Sequence, residues 1–65
     1  MNLDEDPLLI PIPTTQLKLG GVSRPTVYRL VELGELTKVN IGRRGFITAK
    51  SLAAYVDRLS EAASA

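Results

Sequence analysis

Glycine divides this chain into short pieces, and the divisions limit what it can fold into. Gly20-Gly21, Gly34, Gly42 and Gly45 leave no glycine-free stretch longer than 12 residues between positions 20 and 45. Glycine halts helices and permits tight turns, so this stretch can hold a short helix and a hairpin but no long element. Ser23 suits the cap of that helix, and Pro25 fits its first turn, where backbone amides lack intrahelical partners. The spacing predicts a helix from Arg24 to about Leu33. It turns Val27, Leu30 and Val31 inward, with Leu33 near the same side, and leaves Arg24, Tyr28, Arg29 and Glu32 outside.

Upstream, Pro7, Pro11 and Pro13 surround Leu8, Leu9, Ile10 and Ile12. They forbid a helix and favour an extended or polyproline-like path. Residues 1–11 are therefore expected to form a flexible acidic and proline-rich arm, its first six residues mobile, with the apolar residues covering their own core or docking on a neighbouring copy. Thr14 or Thr15 is expected to cap a short helix through Leu19, which Gly20-Gly21 stops, and Val22 plugs the angle before the next helix. Beyond Leu36 the period changes: Val39 and Ile41 alternate with Lys38 and Asn40, and Phe46-Ile47-Thr48 follows Gly42-Arg43-Arg44-Gly45. This predicts a hairpin with two arginines at its tip and glycines supplying positive φ at both ends. Thr48 caps a third helix with Leu52, Tyr55, Val56 and Leu59 as its apolar stripe, and residues 62–65 are expected to fray. The expected class is α+β, mostly α: three helices and a two-stranded hairpin over residues 12–61.

A chain of 65 residues buries one modest core. It contains no cysteine and no histidine, so it has no disulfide, no thiolate metal site and no histidine base or ligand. Glu32 and Glu35 are separated by the helix-ending Gly34 and form no acid/base pair. No catalytic activity, cofactor or metal is expected. Neither a basic leader nor an apolar run of membrane-spanning length is present, which predicts a soluble cytoplasmic protein with no membrane partner.

The net charge of +1 conceals a division. Residues 1–13 hold Asp4, Glu5 and Asp6 with no base, whereas residues 14–65 hold eight bases against four acids. Six of those bases (Arg24, Arg29, Lys38, Arg43, Arg44 and Lys50) fall within 27 positions that contain only Glu32 and Glu35 as acids. Such a segment favours polyanions. Two helices joined by a tight turn present the second helix to a DNA major groove. Ser23, Arg24, Thr26, Tyr28 and Arg29 are the candidate contacts on that helix, with Arg24 able to grip a guanine edge. Tyr28 has an alternative role packing against the hairpin. Arg43 and Arg44 suit phosphate or a narrow minor groove, or guard an exposed hairpin edge. Lys38 and Lys50 are possible phosphate contacts or solvated side chains.

The order GVSRPTVYRLVELGEL, then VNIGRRGFIT, then an alanine-rich closing helix resembles the small excisionase family of winged helix-turn-helix proteins, relatives of MerR-like DNA-binding domains. The resemblance covers roughly residues 12 to 60. It implies a small winged helix-turn-helix in which the second helix enters the major groove and the hairpin, or wing, touches backbone or minor groove. It further implies a non-catalytic recombination directionality factor of a phage or mobile element in a bacterial host cell. Such a factor binds double-stranded DNA beside other copies of itself, bends attachment-site DNA and steers a tyrosine-family integrase toward excision. A small winged-helix transcriptional regulator and a protein-interaction module are the alternatives.

Overall fold

The computed structural model describes residues 7–64. The expected mobility of the first six residues, and any placement of Asp4, Glu5 and Asp6, lie outside that range. The elements run β1 (Leu9–Pro11), α1 (Ile12–Lys18), α2 (Arg24–Glu32), β2 (Lys38–Ile41), β3 (Arg44–Thr48) and α3 (Ala49–Ser64). This is the expected mostly helical α+β domain with three helices, but its sheet has three antiparallel strands in the order β1-β3-β2. The expected two-stranded hairpin is thus corrected: part of the arm supplies a third strand. Leu9, Ile10 and Pro11 pair with Thr48, Ile47 and Phe46. Proline is tolerated there because β1 is an edge strand, where a missing amide donor breaks no inner ladder.

Ile10 and Ile12 pack into the domain's own core with Val27, Leu36, Ile47 and Leu52. Leu8, by contrast, is 81% exposed. Pro11 is followed directly by α1, so the helix starts at Ile12 and no threonine side chain caps it. Thr15, expected as a possible cap, is instead buried within the first turns and donates its hydroxyl to the Pro11 carbonyl at 3.1 Å. That bond satisfies a hydroxyl which would otherwise be costly to bury.

Both short helices end in the same way. Gly20 and Gly34 take φ of +89° and +80°. After α1, Gly20 donates to the Leu17 carbonyl and Gly21 to Gln16; after α2, Gly34 donates to Val31 and Glu35 to Leu30. This paired 5→2 and 6→1 pattern is the Schellman motif, which favours glycine at its left-handed position. Leu33 is still helical in conformation, but six residues after Val27 it lies about 120° around the helix from that core residue and is 63% exposed, correcting its expected inward placement. Val22 is packed against the core between the helices, as the sequence suggested.

Thr48 does cap α3, its hydroxyl accepting the Ser51 amide at 3.2 Å. The stripe expected on α3 divides: Leu52 is buried and Tyr55 packs against the core, but Val56 and Leu59 are 41% and 49% exposed. A 16-residue helix is about 24 Å long, more than this small core can cover. α3 remains helical through Ser64, within the segment expected to fray. Arg58 anchors its middle, donating to the Glu35 carboxylate at 2.7 Å and the Glu35 carbonyl at 3.2 Å.

If β1 belongs to the core, Ile10→Ala should lower unfolding stability by about 2–4 kcal/mol, the range for a truncated core isoleucine. Leu8→Ala, on the exposed side of the same segment, should change it by less than about 0.5 kcal/mol. Urea denaturation of the two variants tests both values.

Candidate nucleic-acid interface

The beginning of α2 is built by its cap. Ser23 Oγ accepts the Thr26 amide at 3.3 Å and lies 2.8 Å from Thr26 Oγ1. Ser23 and Thr26 therefore hold each other at the helix entrance, exposed to solvent. The first residue of the helix is Arg24, and the first turn contains no acid. Helix N-termini carry a partial positive charge that favours acids and disfavours bases. The Arg24 charge consequently opposes the helix dipole, and the helix start plus its guanidinium form an anion-attracting end.

Arg24 lies along the helix against Tyr28. Its guanidinium is 5.5 Å from the ring centroid and 3.3 Å from the hydroxyl oxygen. Tyr28 is half-buried, with Lys38 Nζ of β2 5.7 Å from the same centroid. The packing of Tyr28 toward the hairpin and its position on the exposed helix face therefore coexist. Arg29 is exposed beside Pro25, Thr26, Tyr28 and Glu32, with which it lines a shallow groove.

In the hairpin, Ile41 pairs with Arg44, which leaves Gly42-Arg43 as a two-residue loop. Gly42 has φ +60°, and no non-glycine residue has positive φ among the described residues. A positive φ at the first loop position alone marks a type II′ turn. The glycines expected at both ends of the tip therefore do different jobs: Gly45 lies in the strand and does not have positive φ. Arg43 occupies the turn, and Arg44 opens β3 with its guanidinium 5.1 Å from the Phe46 ring centroid.

These groups meet. β1 ends opposite Phe46, so Arg44 and Gly45 have no strand beside them on that side, and the gap is bordered by the starts of α1 and α2. Arg24, Arg43, Arg44 and Gly45 line this depression together with Pro11, Ile12 and Pro13; its volume is about 290 Å³. The acids stand apart. Glu35 is taken by Arg58, and Glu32 closes α2 eight residues after Arg24, about 12 Å along the axis. Lys50 lies exposed in the first turn of α3, at the end of β3 opposite the tip. A separate groove of about 590 Å³ between β1 and α3, lined by Ile10, Leu52, Ala53 and Val56, has one base and one acid at its edge, Lys18 and Asp57. No helix among the described residues is long and apolar enough to cross a membrane.

The sequence did not mark Gly45 as part of this depression's lining or Asn40 as the partner of Lys38. Asn40 accepts from Lys38 Nζ at 2.8 Å and stands opposite Gly45 in the ladder. Only the register of β2 on β3 reveals that arrangement.

Residues 18–60 match the family model described as a helix-turn-helix domain. No curated protein and no solved structure matches the chain. The match spans more than half of the sequence and coincides with α2, the wing and most of α3. The chain belongs to this helix-turn-helix domain family, a DNA-binding fold whose members are typically non-catalytic.

Because the opposition of its charge to the helix dipole offsets its exposed contact with Tyr28, Arg24→Ala should leave the unfolding free energy within about 0.5 kcal/mol of the parent. Thermal denaturation reads this directly; a loss above about 1 kcal/mol would give Arg24 a role in holding the fold.

Proposed function

We propose that the protein is a non-catalytic excisionase that binds tandem sites on double-stranded DNA, bends the attachment site and directs a tyrosine-family integrase toward excision. The observation that carries the DNA contact is the depression shared by Arg24, Arg43 and Arg44. One duplex can meet the start of α2 and the wing together, with α2 in the major groove and the wing on the adjoining backbone or minor groove. Arg24 reads a base edge and Arg29 reaches phosphate from the same helix. Ser23 and Thr26 hold the helix entrance at the backbone, and Tyr28 sits between helix and wing. Arg43 and Arg44 contact phosphate, while Lys38 and Lys50 are secondary phosphate contacts.

Support for excision, rather than DNA binding in general, comes from the resemblance in the recognition helix and wing sequences. Module size supports several copies acting together: one such module covers only about 600–1,000 Å² and reads few base pairs. Bending costs on the order of 1–6 kcal/mol, which adjacent copies share through their phosphate contacts. The copies lie head to tail along the site.

Replacing Arg43 and Arg44 together by alanine should weaken binding on every duplex and reduce the slope of log K against log salt by about 2. Arg24→Ala should chiefly relax sequence choice. Fluorescence titrations at several salt concentrations distinguish the two; equal losses with an unchanged slope would contradict both assignments.

On attachment-site DNA, footprinting and gel shifts should show stepwise, cooperative protection and retarded bent complexes. Addition of the protein to a cognate integrase should increase excision. A single unbent complex without any effect on excision would overturn this reading.

A further inference from the structure

Gly45 is a glycine for reasons of space. Its φ is not positive, so the left-handed freedom of glycine is not what the position requires, yet a Cβ built there would lie 2.9 Å from Lys38 Cε and 3.2 Å from Lys38 Nζ. Real Cβ atoms do not approach carbon that closely without displacement. The register explains the crowding. Lys38 pairs with Ile47 and Asn40 with Gly45, and paired residues share a face of the sheet, as do residues two apart on one strand. Lys38, Asn40 and Gly45 therefore lie on the face where Ile47 is buried, the face toward the helices.

The Lys38 side chain passes over Gly45 along this face. Its ammonium donates to Asn40 Oδ1 at 2.8 Å and stands 5.7 Å from the centroid of Tyr28 on α2. The same ring has the Arg24 guanidinium 5.5 Å from its centroid, with a hydrogen bond to its hydroxyl. Gly45, Lys38, Tyr28 and Arg24 thus form one continuous set of contacts from the central strand of the wing to the first residue of α2. Each cation-ring contact is modest at an exposed site, about 0.5–1 kcal/mol. Their effect is geometric.

We propose that Gly45 is a positioning residue for DNA recognition: by leaving room for Lys38 against Tyr28, it fixes the wing and the Arg24 guanidinium relative to one another. The inference rests on the DNA-binding reading and adds to it a position whose part is to seat Lys38 against Tyr28. A methyl group at position 45 pushes away the end of a flexible side chain and leaves the core alone. Gly45→Ala therefore keeps the fold but detaches Lys38 from Tyr28.

The test is a double-mutant cycle on the intact chain, comparing a duplex selected from a random pool by the parent protein with a scrambled duplex. Gly45→Ala should reduce the ratio of the two affinities by about fivefold or more, the scale of one misplaced base contact. Its melting temperature should stay near that of the parent, and the Asn40 side-chain amide resonance should move. Lys38→Ala should reduce the ratio similarly. Once Lys38 is truncated the added methyl meets no lysine, so the double variant should lose about as much as either single variant rather than the product of both. Loss of a phosphate contact from Lys38 would lower both affinities alike and leave the ratio unchanged. An unaltered ratio in Gly45→Ala, or multiplying losses in the double variant, would overturn the proposal while leaving the DNA-binding reading in place. A parent chain that binds every duplex alike would likewise overturn the proposal alone, and one that binds no duplex would remove both.

Discussion

Ile47, completely buried on the central strand, faces Ile10 across one ladder and Lys38 across the other. Through this residue a strand near the start of the chain is joined to a hairpin 37 positions later. The partnership closes a long loop, which is entropically unfavourable until burial offsets it. Once it is made, the start of α1 is set by the end of β1, α2 is placed by Val27 in the shared core, and α3 leaves directly from β3. The cationic side chains are thereby borne by elements whose positions the same apolar contact determines.

The consequence for function is a separation of tasks along each element. In α2, Val27 holds the core while Arg24 occupies the helix end least favourable for a cation. In β3, Ile47 is fully buried and Arg44 is exposed. The two residues that face the core sit within a few positions of the two that face outward, so there is little freedom between anchor and contact. Glu35, the acid nearest the wing in sequence, is held by Arg58 of α3. The cluster around Arg24, Arg43 and Arg44 thus keeps its positive sign.

What was legible in the sequence was local. Ser23, Pro25 and Gly34 mark both ends of α2, and Thr48 marks the start of α3, because caps and turns act through neighbouring backbone atoms. The hairpin was legible for the same reason. β1 was not, since Pro7, Pro11 and Pro13 argue against regular structure and its partner strand is remote. Val56 and Leu59 have helical spacing but lie beyond the reach of a small core, which periodicity alone does not reveal. Of the candidate contacts, Arg24, Arg43 and Arg44 come together, Tyr28 and Lys38 meet between helix and wing, and Lys50 stays at the other end of the sheet. The reason for Gly45 depends on strand register, which no local signal encodes.

On the proposed reading, the start of α2 and the wing engage one duplex at once. An NMR titration with that duplex, following the arginine side-chain resonances, tests it most directly. The signals of Arg24, Arg43 and Arg44 should change together at a single stoichiometry, with the exposed end of α3 around Glu61 unaffected. Changes confined to α2, or to the hairpin tip, or occurring at different DNA ratios, would mean that the helix and the wing do not share one duplex.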